Sequence, residues 1–488
     1  MFKSLIITAV LIVGVVAGIE AAPTDVVTKA ELNAIIERLA KLEKENKAQA
    51  ERIAELEAKN RSLAAVSEKV VVEKEGKAPE MEKGTSKNET GRVYTTESGR
   101  KYFLADKFAN IFEPLSESGL QIVPYGYLAF EGVYNTHAVD ADAITDFVKR
   151  RGKGGTTLSM QDSILGIKFN TPESENGWTF SGKAEFDLAG SNQNDYAFHW
   201  RHLYVDAQHE SGWSILFGQT WHLWKMVSPS EIDGAWMENT GHPYRRSPQL
   251  RVTKKWEWDD SSLEARVGVV KGGPGMGGDR DSDGIQDNSA STWALVQGAL
   301  LYDHVAPWEE ERRWLVGIGG MYGRDRAHRL LDNGQFGGED DEYDSKMVML
   351  ASSVPLFSKF TLTGQIFAGD NLGGIQAGCA QRVAYMHPGK GREVSTIGGF
   401  ADLNYQLNDK WGFAVGYGFD DPTDSEARYA YGILHNDRAY IDVFYSVTSN
   451  LKLGFEYARL TTTYGDKGDD NEDNVDNDRV QFSAWYNF

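Results

Sequence analysis

The last ten residues, Arg479 to Phe488, constrain the fold of this chain more than any other stretch. At a period of two they place apolar side chains on one face: Val480, Phe482, Ala484, Tyr486 and Phe488. The alternate positions form a mostly polar face: Arg479, Gln481, Ser483, Trp485 and Asn487. Because successive side chains of a strand point to opposite sides, this segment predicts a strand with one apolar and one wet face. Membrane barrels and half-solvated antiparallel sheets both contain such strands.

The same alternation recurs from Gly119 onward, in segments of about ten residues separated by turns or long polar loops. One segment alternates glycine and alanine with large apolar residues: Trp411, Phe413, Val415, Tyr417 and Phe419. Roughly sixteen or seventeen such segments occur, and single-chain bacterial barrels have even numbers of strands. The sequence therefore predicts an all-β membrane protein in which residues 119–488 form a 16-stranded antiparallel transmembrane β-barrel.

A soluble β-sandwich is the alternative fold. It has no reason to place the charged residues Lys183, Glu185 and Asp187 on a face enclosed by sheet, whereas a water-filled lumen accommodates them. Aromatic residues near strand ends also favour a barrel, because aromatic girdles lie at the two membrane interfaces. A bundle of membrane helices is excluded, since it needs several apolar runs of about 20 residues. The single long apolar run of this chain lies at its N-terminus.

Composition and motifs exclude further classes of protein. The formal net charge of -20 disfavours a nucleic-acid partner, because phosphate contacts need a basic surface. Cys379 is the only cysteine, so it forms no internal disulfide, and no metal-ligand cluster surrounds it in sequence. The Gly-x-Ser-x-Gly motif is absent and the ten histidines are scattered. We therefore expect no enzymatic activity and no required cofactor.

The part of the chain that precedes the predicted barrel divides into three segments. Residues 1–22 have the charged and apolar regions of a secretory signal peptide. Residues 29–66 repeat apolar side chains such as Leu32 and Leu39 at heptad spacing, which predicts an α-helical coiled coil of roughly 50 Å in the periplasm. A lone solvated helix is the alternative, but its apolar seam would stay exposed. Residues 67–118 form a linker and a small junction.

Four short motifs carry a resemblance to a known family. They are Gly182 to Asp187, Trp200 to Tyr204, Phe217 to Trp221 and Arg246 to Arg251. Together they resemble the DcaP-type porins, and the terminal Phe488 resembles the assembly signal of bacterial outer-membrane proteins. This resemblance implies a trimeric sixteen-stranded outer-membrane channel with a periplasmic coiled coil, linked to uptake of dicarboxylates and other small anions.

The lengths of the connections predict an orientation for the barrel. Tight links such as Glu210 to Gly212 and Leu407 to Lys410 are expected at the periplasmic end. Long links such as His222 to Pro248 and Arg324 to Tyr343 are expected on the outer surface. In porins a long early loop often folds into the pore, and His222 to Pro248 is the candidate for this role.

A locally basic group inside this acidic chain predicts the solute site, because cations at a constriction favour anions. The candidate pore and substrate-binding residues are Lys183, Arg201, Lys225, Arg245, Arg246 and Arg251. The alternative is that these are solvated loop charges or membrane-rim residues that contact lipid phosphates.

A second candidate site has the spacing of a calcium loop. Its predicted ligands are Asp279, Asp281, Asp283 and Asp287, with Gly284 at the position of the sharp turn. The glutamate expected at position 12 is missing, since Ala290 stands there. The segment resembles the shorter calcium loops of thrombospondin type-3 repeats. The alternative is a solvated acidic loop.

These observations predict a homotrimeric outer-membrane porin that contacts outer-membrane lipid and passes small hydrophilic solutes, with a preference for small anions. Two alternatives stay open. One is a structural trimer that tethers the envelope through its coiled coil, and the other is a general non-selective or cation-preferring pore.

Overall fold

The computed structural model describes residues 91–95, 101–105, 119–190, 196–272, 294–306, 309–332, 336–468 and 471–488. The predicted signal peptide and coiled coil lie outside these ranges. The chain divides into two compact units, Met1–Asn88 and Glu89–Phe488, and all described residues belong to the second. No helix among the described residues is long and apolar enough to cross a membrane.

The described part of the second unit consists mainly of strands. The strands are β1 (Gly91–Thr95), β2 (Lys101–Ala105), β3 (Gln121–Asn135), β4 (His137–Val139), β5 (Val148–Lys153), β6 (Thr156–Ser159), β7 (Ile164–Asn170), β8 (Trp178–Asp187), β9 (His199–His209), β10 (Trp213–Trp221), β11 (Arg246–Glu257), β12 (Ser261–Val270), β13 (Leu295–Ala306), β14 (Glu309–Leu330), β15 (Phe336–Phe357), β16 (Phe360–Asp370), β17 (Val383–Ala384), β18 (Arg392–Glu393), β19 (Ser395–Gln406), β20 (Trp411–Pro422), β21 (Ile433–Ser446), β22 (Leu451–Gly465) and β23 (Glu472–Asn487). A 3-10 turn covers Gly373–Ile375, and the short helix α1 covers Asp424–Ala427.

The barrel closes where the last strand pairs with the first. Its order is β3, β6 with β7, β8 to β16, and β19 to β23, and β23 then pairs antiparallel with β3 through contacts such as Ser483 opposite Glu131. Because β6 and β7 both pair with β3, they share one position, so the barrel has sixteen positions. The predicted 16-stranded antiparallel barrel is confirmed, and closure excludes the soluble sandwich.

The two faces of β23 behave as the alternation predicts. Phe482 and Tyr486 point outward and are 44% and 52% exposed, whereas Gln481 and Ser483 point into the barrel and are fully buried. Large exposed apolar side chains recur around the outer wall, including Leu203, Phe217, Val267, Leu350, Ile441 and Phe455. Such an apolar outer wall is stable in the hydrocarbon core of a membrane.

The connections also follow the predicted pattern, with one correction. Glu210 to Gly212 and Leu407 to Lys410 are tight turns at the end where Phe488 lies. The segment Arg324 to Tyr343, predicted as a long outer loop, instead continues the ladder between β14 and β15, with Arg324 opposite Asp344. Cross-strand ion pairs such as Arg324 Nε to Asp344 Oδ1, at 2.9 Å, stabilise this charged ribbon. Its lack of apolar alternation made the ribbon resemble a loop in the sequence.

Candidate pore and constriction

The connection from His222 to Arg245, here called the constriction loop, folds into the barrel. It leaves β10, and the Ile232 backbone N–H donates to Glu456 Oε2 on β22 at 2.9 Å. The Gly241 N–H donates to Asp420 Oδ1 on β20, also at 2.9 Å. Since β20 lies eight positions from β10 in the sixteen-position barrel, the loop reaches the opposite wall. The predicted inward folding of this loop is confirmed.

Glycines on the barrel wall allow the loop to lie flat against it. A Cβ atom at Gly418 would be 2.2 Å from the Thr240 carbonyl oxygen, and one at Gly319 would be 2.8 Å from Trp224 Cβ. Trp224 and Met237 of the loop are fully buried against this wall. Backbone and side chains can approach this closely because glycine has no side chain.

Two buried arginines anchor the constriction loop. Arg438 on β21 forms ion pairs with Glu231 and with Asp233, the latter at 3.2 Å. Arg479 on β23 lies with Nε 3.1 Å from Asp233 Oδ2. All four side chains are at most 1% exposed. The carboxylates therefore neutralise the guanidinium groups, and these charges are not available to a passing solute.

Two further outer loops contact the anchor or the constriction loop. In the loop between β4 and β5, the carbonyl oxygens of Asp142 and Ala143 accept from Arg479 at 3.1 and 2.6 Å. In the loop between β16 and β19, the Gly374 carbonyl accepts from Arg245 Nη1 at 2.7 Å. Arg245, predicted to line the pore, is thus held against a neighbouring loop.

The structure places Lys183 and Arg201 together on the wall formed by β8 and β9. Lys183 Nζ is 2.7 Å from Glu185 Oε2, and Arg201 bridges Glu185 Oε1 at 2.9 Å and Asp187 Oδ2 at 2.8 Å. Two cations therefore meet two carboxylates. Among the predicted basic residues, these two carry the least uncompensated charge.

Lys225 and Arg246 lie beside one aromatic ring. The Arg246 guanidinium carbon is 4.5 Å from the centroid of the Trp221 ring, and Lys225 Nζ is 5.0 Å from it. Within the described part of the chain, no carboxylate lies within ion-pair distance of either cation, although Lys225 donates to Ser228 Oγ. Burial, with Arg246 and Arg201 nearby, lowers the pKa of the Lys225 ammonium to about 8. Lys225 in the constriction loop and Arg246 directly after it therefore form a pair of uncompensated positive charges.

Arg251 lies apart from that pair. It is on β11, five residues along the strand from Arg246, which corresponds to about 16 Å. Its Nε is buried, with no hydrogen-bond partner among the described residues. The neighbouring strand β12 carries Arg266, which pairs with Glu264. The six predicted basic residues therefore form an ion-paired group, a free pair and two separate members.

The barrel is similar in architecture to proteins of known structure. No protein-family model matches the chain, and no curated protein does. The outer membrane channel DcaP of Acinetobacter baumannii is similar over 76% of this chain and 97% of that one, with a TM-score of 0.61 and 17% sequence identity. The chain has the fold of an outer-membrane porin. The anion-selective porin from Comamonas acidovorans matches with a TM-score of 0.48 and 11% identity, covering 76% of this chain and 100% of that chain.

The resemblance to DcaP-type porins is confirmed at the level of the fold. Its four motifs lie on four consecutive strands, β8 to β11. These strands form the wall that carries Lys183, Arg201 and Arg246. The motifs of the resemblance and the candidate solute site therefore occupy the same side of the porin barrel.

Sequence reasoning missed two groups inside this porin fold. One is the anchor pair, Arg438 and Arg479, although the inward position of Arg479 follows from alternation along β23. The other is a set of cations at the tight-turn end, among them Lys359, Lys410 and Lys452, which line a cavity of about 920 Å³. The sequence feature that could have identified these cations is the recurrence of lysine at or next to tight turns.

Two groups of carboxylates are candidates for binding a metal ion. The predicted calcium ligands Asp279, Asp281, Asp283 and Asp287 lie outside the described residues. Within them, one carboxylate from each of Glu231, Asp233 and Glu456 lies within 4.8 Å of the others. Arg438 and Arg479 form ion pairs with all three of these carboxylates. The trio is therefore part of the loop anchor.

Proposed function

We propose that this chain forms an outer-membrane porin, a passive diffusion channel for small hydrophilic solutes that favours anions such as dicarboxylates. The observation that carries this proposal is the pair Lys225 and Arg246 beside Trp221. The pair has no carboxylate within ion-pair distance in the described residues, and Lys225 belongs to the loop that folds into the lumen. Uncompensated cations at a constriction attract anions and repel cations.

The energies of electrostatic interactions explain how such a pair can act within a chain of net charge -20. Two unit charges 4 Å apart interact by about 4 kcal/mol at an effective dielectric of 20, against about 1 kcal/mol in water. Charges more than about 8 Å away are largely screened at physiological salt. A cation at the constriction therefore outweighs many carboxylates on outer loops.

The proposed assembly is a homotrimer in the outer membrane, with residues 29–66 as a coiled coil in the periplasm. The exposed apolar wall would contact lipid and neighbouring barrels. Aromatic residues such as Trp213, Trp258 and Trp411 are exposed near the tight turns, where an interfacial girdle is expected. The tight turns lie together at one end of the barrel, which supports the assignment of that end to the periplasmic side.

Single-channel recording in a salt gradient tests the proposal. The wild-type reversal potential should indicate anion preference, and succinate should block the current. The double variant Lys225→Gln with Arg246→Gln should lower the anion-to-cation permeability ratio several-fold. Lys467→Gln, in the outer loop after β22, is the matched control and should leave the ratio unchanged.

Two results would contradict the proposal in different ways. Wild-type cation preference, or an unchanged ratio in the double variant, would favour a general or cation-preferring pore. A correctly folded barrel without measurable conductance would favour the structural tether.

A further inference from the structure

A separate chamber lies on the periplasmic side of the constriction loop. It is a cavity of about 920 Å³ with the loop residues Ser230 and Trp236 on one side. On the other side are residues of the tight turns, including Ser358 and Gln406. The chamber therefore lies between the constriction and the turn end of the barrel. We call it the vestibule.

The vestibule wall is rich in cations. Lys359 follows β15, Lys410 precedes β20 and Lys452 is the second residue of β22. All three line the cavity, and so does Arg312. The guanidinium group of Arg312 donates to the carbonyl oxygens of Phe357 and Phe360, at 2.6 and 3.0 Å, so it is fixed in the wall.

The carboxylates among the described lining residues do not balance the three lysines. They are Asp162 and Glu231. Glu231 has no exposed side-chain surface and is paired with Arg438, so its charge is already met. One carboxylate, Asp162, then faces the three lysine side chains. The vestibule therefore carries an excess of positive charge.

Contacts hold the lysine ammonium groups on the wall. Lys359 Nζ donates to the Leu407 carbonyl oxygen at 2.7 Å, which fixes it beside the turn that carries Lys410. Lys452 Nζ is 3.9 Å from the centroid of the Phe444 ring and 5.9 Å from that of Trp485. Cation–π contacts orient an ammonium group without neutralising it. In the described residues no carboxylate lies within ion-pair distance of Lys452.

We propose that the vestibule is a second anion-binding site, which holds small carboxylates on the periplasmic side of the constriction loop. Lys359, Lys410 and Lys452 supply its charge, and it is distinct from the pair Lys225 and Arg246. The inference rests on the proposed channel function. A site at this end raises the local concentration of anions that arrive from, or leave toward, the periplasm.

The test measures block by succinate added to one side of the membrane at a time. The orientation of each channel is established by biotin attached at Lys467→Cys on an outer loop, which streptavidin reaches from one side only. The variants are the triple Lys359→Gln, Lys410→Gln, Lys452→Gln and the single Lys452→Met. The methionine keeps an unbranched side chain against Phe444, so we expect the Lys452→Met variant to fold. Lys452→Arg, which keeps the charge, is the control.

Succinate added from the tight-turn side should block the triple variant several-fold less well than wild type, with a smaller loss for Lys452→Met. Block from the outer side should stay unchanged, and Lys452→Arg should behave as wild type. Arg246→Gln should weaken block from both sides, because every solute passes the constriction.

Unchanged block from the tight-turn side would overturn the inference and leave the proposed function intact. An equal loss from both sides in the triple variant would also overturn it, since the lysines would then act on the common constriction. A wild-type channel that succinate blocks from neither side would contradict the proposed function itself.

Discussion

Arg479 on the last strand and Asp233 in the constriction loop form an ion pair with Nε 3.1 Å from Oδ2, and neither side chain is exposed. Arg479 also donates to Thr145 Oγ1 at 3.1 Å in the loop between β4 and β5. One guanidinium group therefore joins the barrel wall to two loops that enter the lumen. The inward face of the strand that closes the barrel also positions the constriction.

Arg479→Gln should destabilise the barrel by about 3–5 kcal/mol, because removing one partner of a buried ion pair leaves the other charge uncompensated. The measurement is urea unfolding in lipid vesicles. Arg459→Gln on the outer wall is the control, since its pair with Asp476 is about half exposed and should contribute about 0–1 kcal/mol. Equal losses of unfolding free energy in the two variants would show that the buried ion pair stabilises the barrel no more than the exposed one.

The anion preference should fall as the pH rises from 7 to 9. The pKa of Lys225 is lowered to about 8 by burial and by Arg246 and Arg201, and a lysine is charged below its pKa and neutral above it. Reversal potentials measured across this pH range test the prediction. Lys225→Gln should remove most of the pH dependence, whereas Lys225→Arg should stay anion-preferring at pH 9. A flat wild-type profile would place Lys225 outside the solute path.

Calcium should protect the segment from Asp279 to Asp287 against proteolysis if its aspartates coordinate the ion as the spacing predicts. The measurement is limited proteolysis with calcium and with chelator. Asp281→Asn combined with Asp283→Asn should abolish the difference. Identical cleavage of the wild type under both conditions would leave a solvated acidic loop as the interpretation.

Deletion of residues 31–65 should leave a trimer in detergent that dissociates at a lower temperature. Polar residues within the heptad seam, such as Asn46 and Asn60, weaken a coiled coil. The exposed apolar barrel wall offers a further surface for contact between subunits. Light scattering in detergent and heat-dependent gel mobility measure the outcome, and a clean monomer would contradict it.

Alternation along the chain already specifies the architecture of the barrel. A period of two decides which side chains face outward and which face inward, because backbone geometry imposes it on every strand. Gln481 and Phe482 therefore could be assigned to the polar and apolar faces before any contact was known. The resemblance carried by β8 to β11 also pointed to the correct fold. The ribbon from Arg324 to Tyr343 could not be recognised as strand, because charged side chains that form cross-strand ion pairs replace the apolar alternation there.

Which charges remain uncompensated depends on how distant segments meet in the folded barrel. Lys183 and Arg246 are both cationic side chains in the sequence, but Glu185 neutralises the first, whereas the second has no carboxylate within ion-pair distance among the described residues. Barrel closure brings Arg479 to Asp233 and gathers lysines from separate turns around one vestibule. Electrostatic interactions depend on distance and burial, and distant segments acquire both only when the strands pair and the loops fold inward.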